Sequence, residues 1–426
     1  MIVNVVERGN ILILLEGLKN LMIEDVVILM SLINKNIQFV SGSISITENM
    51  NKQRVSMPFS EETLLFFDAL SMSILKTPES KKFSDLVAFA FWCRKKHLLK
   101  FKNSKNNLDS SLGLGLLFHI APSNVALNFA YSLAIGLLAG NNNIVRISSK
   151  PFLQVQLLLK IMNQLLENDF FSFRSKICIV QYEYNAEITG YFSSLADGRL
   201  IWGGDETIKN IRTSQLKPNG IDVGFYNRNS IAIINADNYL VHENKKYLAQ
   251  YFYNDTYLND QKACSSPSII FWIGENKSEA KAKFWSELTE LVNEKYKILA
   301  NQTIDKLEKF YEVALKYECQ KIATSNELIT RINLLEIDQE IFDYCCGNGF
   351  FIETDIESLI EILPVCSKKL QTITYFGLDA EAIKKTIIDN GVAGCDRIVK
   401  MGNALEFNTV WDGKDLIDTF SRKIVT

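Results

Sequence analysis

Cys264 is the residue whose type and setting offer the clearest chemistry in this sequence. It lies in the segment NDQKACSSPSIIFW, after a polar loop and before an apolar run from which Pro267 separates it. A cysteine in a polar loop between two elements can be reached by a substrate, and its thiolate is the nucleophilic form. The competing interpretation is one buried cysteine among the eight of the chain. No histidine lies nearby to complete a cysteine–histidine pair.

Two further motifs offer weaker chemistry. His119, in the run LLFHIAP, stands between apolar neighbours, which favours a hydrogen-bonded core residue over a catalytic one. Gly203 and Gly204 follow a predicted strand and precede a predicted helix, so a phosphate could approach backbone N–H groups there. A plain turn capped by Asp205 explains the same residues.

Composition and charge indicate a globular protein of two or three domains. The chain has 426 residues, of which 47% are hydrophobic and 22% charged, and its net charge of −3 gives no reason to expect a nucleic acid partner. The scattered cysteines and isolated histidines predict no metal site. Scattered cysteines without a signal-peptide pattern favour the reducing cytoplasm. The uncharged stretch 110–145 is long enough to span a membrane. Pro122 and Asn124 interrupt it, so we expect a buried strand, a turn and a helix, and no membrane insertion.

The elements that must position these residues alternate between strand and helix. The first block has predicted strands at Leu114–Ile120, Ile144–Ile147, Ile177–Tyr182, Leu200–Trp202 and Ser230–Ile234, and predicted helices at Phe59–Leu75, Phe83–Leu99, Asn124–Leu138, Pro151–Leu166, Ala186–Leu195 and Glu206–Thr213. The second has predicted helices at Asn244–Leu258 and, as one or two, Glu279–Tyr317, with strands at Ser268–Ile273, Phe350–Glu353, Thr372–Phe376 and Arg397–Lys400. Such alternation predicts parallel sheets that bind ligands at the carboxyl ends of their strands.

Several segments together resemble the LuxC-type acyl-CoA reductase (fatty acid reductase) family, a branch of the aldehyde dehydrogenase superfamily. They are HIAPSNVALNFAYSLAIGLLAGNNNIVRISSK, IWGGDETIKNIR, DQKACSSPS, LQTITYFG and GCDRIVKMGNALEFNTVWDG, in the family's order. The resemblance implies an aldehyde dehydrogenase-like α/β fold with two doubly wound domains. We expect a cofactor-binding domain with a helical N-terminal region at 1–234 and a catalytic domain carrying Cys264 at 235–400. We expect residues 401–426 to return to the cofactor domain or to a subunit interface.

The resemblance also implies roles for individual residues. Cys264 falls on the family's nucleophile, and Asn124 on the asparagine whose amide donates to the developing oxyanion. Arg146 falls on a ribose-contacting lysine, and Ser149 stands where NAD-using relatives carry a glutamate, which favours NADPH. The segment IDVGFYNRNSIAII lacks the glutamate with which aldehyde oxidisers activate water, and Asp222 is its nearest acid. The complete set of implied cofactor-binding residues is Ala121, Pro122, Ser123, Arg146, Ser148, Ser149, Gly203 and Gly204.

The activity implied by the resemblance is NADPH-dependent reduction of an acyl thioester to an aldehyde through a Cys264 acyl-enzyme. The thioester is an acyl-CoA or an acyl-protein, the type is a long-chain fatty acyl-CoA reductase, and no metal is required. An acyl-protein synthetase partner and a homo-oligomer are also expected. Two alternatives stay open on the same fold: a dehydrogenase of a semialdehyde or phosphorylated aldehyde, and a non-reducing acyl carrier or transferase.

Overall fold

The computed structural model describes residues 36–106, 108–322 and 327–425, with the side chains of 320–322 left out. These residues form two compact units. The first runs to Tyr226 and resumes at Leu416, and the second is Asn227–Asp415. Each unit is built on a mostly parallel sheet accompanied by helices, which confirms the predicted α/β class.

A six-stranded sheet forms the centre of the first unit, in the order β1-β5-β4-β3-β6-β7. Only the edge strand β1 runs antiparallel to its neighbour in this sheet. The chain moves outward from β3 through β4 and β5, then returns to the other side of β3 with β6. This reversal places a topological switch point between β3 and β6. The strands are β1 (Gln38–Ser41), β2 (Ser111–Gly113, outside this sheet), β3 (Leu116–Ile120), β4 (Asn142–Ile147), β5 (Ile177–Gln181), β6 (Gly198–Trp202) and β7 (Ile221–Phe225).

The helices of the first unit cover its sheet with apolar faces. In the helix of residues 153–168, Val155, Leu158, Leu159 and Met162 are buried at helical spacing. The predicted helix 83–99 is wrong as a single element, because the chain leaves helical geometry at Arg94. The helices are α1 (Ile44–Met50), α2 (Glu61–Lys76), α3 (Ser84–Trp92), α4 (Lys95–Asn103), α5 (Asn128–Leu138), α6 (Leu153–Asn168), α7 (Ala186–Leu195) and α8 (Asp205–Arg212).

A seven-stranded sheet forms the second unit, in the order β10-β11-β12-β9-β8-β13-β14, with only β10 antiparallel in it. The predicted helix region 279–317 is two helices. The strands are β8 (Asn229–Asn235), β9 (Pro267–Ile273), β10 (Cys319–Ile322), β11 (Thr330–Leu334), β12 (Phe350–Ile356), β13 (Leu370–Phe376), β14 (Arg397–Lys400), β15 (Val410–Trp411) and β16 (Lys414–Asp415). The helices are α9 (Ala236–Val241), α10 (Lys245–Thr256), α11 (Lys277–Lys295), α12 (Ala300–Lys316) and α13 (Ala380–Asp389).

The central strands of this second sheet are buried on both faces. In β8, Ile231 and Ile233 pack into one core, whereas Ala232 and Ile234 pack into the other. Successive side chains of a strand point to opposite faces, so a continuous apolar run is the pattern of a strand covered on both sides. The near-continuous apolar run of β9, Pro267–Ile273, has the same cause.

The observed boundary between the units differs from the expected one at 234. The strand predicted at 230–234 as the last of the first block is β8, and it pairs with β9 and β13 of the second sheet. The chain therefore changes unit at Tyr226. Residues 401–415 also belong to the second unit, and the segment from Leu416 returns to the first through α14 (Leu416–Thr419) and β17 (Ser421–Lys423), which pairs with β2.

The uncharged stretch 110–145 folds as the strand, turn and helix that the sequence predicts. It contains β2, β3, a loop, α5 and the start of β4. Within the ranges that the structure describes, no helix is long and apolar enough to cross a membrane.

Candidate active site

Cys264 lies in a tight loop between α10 and β9. The loop begins with Asp260 and Gln261, which both adopt the left-handed region with φ values of 51° and 57°. It closes through a turn in which the Ser266 N–H donates to the Ala263 carbonyl over 2.9 Å. Left-handed geometry is uncommon for non-glycine residues and reverses the chain sharply. The loop therefore has a specific shape that presents Cys264 next to the start of β9.

The buried side chain of Gln261 holds this loop in place. Its amide nitrogen donates to the carbonyl oxygens of Pro267, at 2.9 Å, and Phe350, at 3.2 Å. Its amide oxygen accepts the Gly349 N–H at 3.1 Å. One side chain thus connects the cysteine loop to the first residues of β9 and β12. A buried amide that satisfies three backbone groups is costly to remove, because those groups would lose their partners.

A second connection runs from the same loop to α12. The Asn348 N–H donates to the Asp260 carbonyl over 2.8 Å, and the Asn348 amide oxygen accepts from Gln302 of α12 at 2.9 Å. The Asp260 carboxylate accepts from the Tyr296 hydroxyl at 2.8 Å. The loop is therefore anchored on both sides before it reaches Cys264.

Cys264 is half-buried, and its backbone carbonyl accepts the Ser230 hydroxyl at 2.7 Å. Burial raises the pKa of the Cys264 thiol, the N–H and guanidinium of Arg228 lower it, and the Asp412 carboxylate raises it. Burial raises the pKa to about 12 in Cys178, Cys345, Cys346, Cys366 and Cys395.

Asn124 lies in the loop that follows β3 in the first unit, and it is exposed. The predicted helix start at Asn124 is wrong by four residues, since α5 begins at Asn128 with Leu127 as its N-cap. Asn124 therefore does not cap this helix. Its amide has no hydrogen-bond partner within the described part of the chain, which leaves it available to a ligand. Ala121 opens the same loop and donates its N–H to the Arg146 carbonyl at 3.0 Å.

Arg146, Ser148 and Ser149 lie at the end of β4 and in the loop after it. The Arg146 guanidinium donates to the Tyr182 carbonyl from Nε at 3.3 Å and from Nη2 at 3.1 Å, and lies over the Tyr182 ring. The Ser148 hydroxyl accepts the Lys150 N–H at 3.2 Å, and Ser149 is exposed. The next helix, predicted from residue 151, begins two residues later with Phe152 as its N-cap, so Ser149 does not cap it.

Gly203 and Gly204 form the turn from β6 into α8, and Gly204 is the N-cap. A Cβ atom on Gly203 would lie 3.1 Å from the Thr207 side chain, so the turn is tight. The first turn of α8 carries Asp205 and Glu206. Carboxylates at a helix N-terminus oppose an anionic ligand there, which makes this turn a weaker phosphate site than the sequence suggests.

The turn is attached to the core through a chain of hydrogen bonds. Trp202 donates from Nε1 to the Ser132 hydroxyl at 3.0 Å, and that hydroxyl contacts His119 Nδ1 at 2.8 Å. His119 Nε2 contacts the Asn143 side-chain oxygen at 2.9 Å. An oxygen acceptor at Nε2 requires the proton there, so Nδ1 accepts from Ser132. Burial lowers the pKa of His119 to about 4. His119 is thus the hydrogen-bonded core residue that its apolar neighbours predict.

Comparison with known proteins decides the family. The model of the family described as Acyl-CoA reductase (LuxC) matches residues 45–423. The chain belongs to the acyl-CoA reductase (LuxC) family. That membership makes it an oxidoreductase that acts on acyl groups and aldehydes. No curated relative matches the chain.

Solved structures show the same fold at low sequence identity. The chain resembles aldehyde dehydrogenase 21 from Physcomitrella patens with a TM-score of 0.63, 11% identity and 88% coverage of both chains. It resembles betaine aldehyde dehydrogenase from Staphylococcus aureus (TM-score 0.61, 14% identity, 92% of this chain and 91% of that chain). Lactaldehyde dehydrogenase from Escherichia coli gives a TM-score of 0.58 at 14% identity and 86% coverage of both chains. This LuxC-family chain therefore has the aldehyde dehydrogenase fold that its motifs predict.

Two results concern acidic residues of this LuxC-family chain. Asp222, the nearest acid in the segment without a glutamate, forms ion pairs with Arg199, which is buried, and with Arg212 at 3.5 Å. It is a structural residue of β7. Asp412, which sequence reasoning missed, pairs with Arg228 at 3.3 Å and raises the pKa of the Cys264 thiol, whereas Arg228 lowers it. The adjacent letters Asp-Gly are a strong hairpin signal, and could have indicated the tight turn that places this carboxylate.

Proposed function

We propose that this chain reduces an acyl thioester to an aldehyde with NADPH, through an acyl-enzyme on Cys264. The observation that carries the proposal is the setting of Cys264 in a member of the acyl-CoA reductase family. Its loop is held by Gln261 and Asn348, and its backbone carbonyl accepts the Ser230 hydroxyl at 2.7 Å. A nucleophile needs such a fixed position, since reaction rates fall steeply with misplacement.

The first half-reaction transfers the acyl group to the protein. The Cys264 thiolate attacks the carbonyl carbon of the thioester, a new carbon–sulfur bond forms, and the bond to the leaving thiol breaks. The leaving thiolate takes up the proton that the Cys264 thiol released. In this proposal the Asn124 amide donates to the oxyanion that develops on the carbonyl oxygen, together with the Cys264 N–H. The acyl donor is either an acyl-CoA or an acyl group on a partner protein.

The residues of the first sheet fit a dinucleotide. The loops after β3 and β6 flank the switch point, where open parallel sheets bind such ligands. Ala121, Pro122 and Ser123 would line the nicotinamide side, while Arg146, Ser148 and Ser149 would hold the adenosine ribose. When bound, NADPH supplies the hydride that reduces the Cys264 thioester. Cys264 is then released as a thiolate, which takes up a proton from water, without any hydrolysis of the acyl-enzyme. This is consistent with a segment that lacks the water-activating glutamate.

Acyl-CoAs of graded chain length, mixed with the protein and NADPH, test this function. We expect loss of NADPH absorbance only with an acyl-CoA present, and an aldehyde product. Without NADPH, mass spectrometry should find the acyl group on Cys264. In Cys264→Ala both the label and the NADPH loss should disappear, whereas the control Cys345→Ala should keep both.

Three results would count against the proposal. Acyl label retained in Cys264→Ala would exclude Cys264 as the nucleophile. Labelling of the wild type without NADPH consumption would indicate an acyl carrier or transferase. Oxidation of a semialdehyde without any use of acyl-CoA would indicate a dehydrogenase.

A further inference from the structure

A cluster of charged side chains lies at the same edge of the second sheet as Cys264. The side chain of Arg228 is only 3% exposed, and its Nη1 pairs with the carboxylates of both Asp396 and Asp412. Its Nη2 donates to the Leu370 carbonyl. Arg228 precedes β8, Asp396 precedes β14, and Asp412 comes from a hairpin near the end of the unit. Three distant parts of the sequence therefore converge on one guanidinium.

The hairpin that carries Asp412 has a defined geometry. Strands β15 and β16 pair directly, and the two residues between them, Asp412 and Gly413, have φ values of 48° and 70°. Two successive left-handed residues are typical of the tight hairpin turn that Asp-Gly favours. A Cβ atom on Gly413 would lie 3.0 Å from Asp396 Oδ1, so the turn packs directly against the second carboxylate. Gln371 donates to Asp412 Oδ1 over 2.7 Å. The position of the Asp412 carboxylate is thus set by both its turn and its contacts.

Cys264 is connected to this cluster through the start of β8. The Ser230 hydroxyl donates to the Cys264 carbonyl over 2.7 Å, and Ser230 stands two residues after Arg228. Burial raises the pKa of the Cys264 thiol most, Arg228 lowers it and Asp412 raises it further. Burial also raises the pKa of Asp412, which Asp396 raises and Lys414 lowers. The side chain of Asp412 is 5% exposed. Charges with so little access to water act strongly on a neighbouring thiol.

We propose that Arg228 and Asp412 are opposed positioning residues that set how readily Cys264 acts as a nucleophile. This inference rests on the proposed function of Cys264. Arg228 favours the thiolate through its positive charge and its N–H, while Asp412 favours the resting thiol and holds the guanidinium in place. Cys264 is then largely protonated between turnovers, which limits its reaction with stray electrophiles.

The pH dependence of Cys264 alkylation by iodoacetamide tests the proposal, with peptide mass spectrometry reporting the labelled cysteine. Asp412→Asn keeps an acceptor for Gln371 but removes the negative charge, so the midpoint should fall and labelling at pH 7 should rise about tenfold. Arg228→Gln should raise the midpoint and slow labelling at pH 7 by about the same factor. Arg228→Lys keeps the positive charge and should restore labelling toward the wild-type rate.

Asp396→Asn is the matched control, because Asp396 pairs with the same Nη1 atom but its side chain is 32% exposed, so water screens its charge. Its midpoint should stay close to the wild-type value. The proposal would be overturned if the alkylation midpoints of Asp412→Asn and Arg228→Gln moved in the same direction. It would also be overturned if Asp396→Asn moved the midpoint as far as Asp412→Asn does. Circular dichroism and thermal midpoints must show that each variant is folded.

The alkylation midpoint needs neither acyl-CoA nor NADPH, so this test is independent of the proposed reaction. A wild type that forms no acyl-enzyme would contradict the proposed function but leave the opposite shifts measurable. A wild type that turns over normally, with no shift in either variant, would contradict this inference alone.

Discussion

The two sheets of this molecule use opposite edges for their candidate functional residues. In the first unit, Asn124, Ser149 and Gly203 all follow parallel strands, at the carboxyl edge. In the second, Cys264 and Arg228 both precede strands, at the amino edge. Open parallel sheets ordinarily bind ligands at the carboxyl edge. The candidate residues of the first unit follow that rule, whereas those of the second do not.

A close contact lies at the carboxyl edge of the second sheet. Its switch point lies between β8 and β13, and Gly377 follows β13 there. A Cβ atom on Gly377 would lie 2.7 Å from Asn238 Cβ and 3.1 Å from Asn235 Cβ. Asn238 also donates to the Gly377 carbonyl at 2.6 Å. Side chains of the unit itself thus pack against Gly377 at this switch point, and the topological rule alone would not point to Cys264.

The largest effect that separates the two edges is expected at Asn124. Asn124→Ala removes one oxyanion donor and should lower turnover by about 10²–10³-fold. Binding of NADPH, followed by its fluorescence, should change little, as should Cys264 alkylation. Asn210→Ala, an exposed asparagine of α8, is the control and should turn over normally. Turnover of Asn124→Ala within about threefold of the wild type would remove Asn124 from the mechanism.

Buried titratable groups should give the two units opposite responses to pH. His119 has a pKa of about 4 against an ordinary 6.5, so the unfolded chain binds more protons between these values. The contribution of His119 to stability is then complete above pH 6.5 and is lost as pH falls toward 4, by about 3 kcal/mol. Burial raises the pKa of Asp255 to about 7, so here the folded state binds more protons, and stability falls as pH rises from about 4 to about 7.

The measurement compares wild type with His119→Gln and with Asp255→Asn, by urea unfolding from pH 4 to pH 8. The free energy difference from wild type should shrink toward low pH for His119→Gln. For Asp255→Asn it should shrink toward high pH. If the free energy differences of both variants changed with pH in the same direction, His119 and Asp255 would not be the groups responsible.

A smaller effect on stability is expected from Gln261. Gln261→Ala would leave the Gly349 N–H and the carbonyls of Pro267 and Phe350 without this partner. The expected loss is about 2 kcal/mol in the free energy of unfolding, with slower acylation of Cys264 as its loop loosens. Gln339→Ala, at an exposed glutamine, should cost little. An unchanged acylation rate in Gln261→Ala would mean that the loop keeps its shape without this side chain.

The sequence predicts the surroundings of the candidate residues better at the carboxyl edge of the first sheet than at the amino edge of the second, for a physical reason. The residues around Asn124 and Gly203 follow apolar strands along the chain, so local patterns predict the loops that carry them, whereas the role of Asn124 is implied by the family resemblance alone. The environment of Cys264 depends on contacts between residues far apart, such as Arg228 with Asp412, and no local pattern encodes them. The boundary at 226 was missed for a related reason, because the apolar run of β8 does not reveal which sheet it joins. Cys264 itself was found through its residue type and family resemblance.

The smallest expected effect concerns cofactor preference at the carboxyl edge of the first sheet. Ser149 is exposed and carries no charge, so it can donate to a 2′-phosphate that a carboxylate would repel. Arg146 already donates from Nε and Nη2 to the Tyr182 carbonyl, and this leaves Nη1 as its main remaining donor. Ser149→Glu should therefore shift the NADPH-to-NADH affinity ratio toward NADH by about tenfold, or about 1.4 kcal/mol. Titration of both cofactors against Ser149→Glu and Ser194→Glu, which adds the same charge on α7, measures the shift. If the ratio changes equally in both variants, only overall charge matters, and the loop after β4 does not recognise the 2′-phosphate.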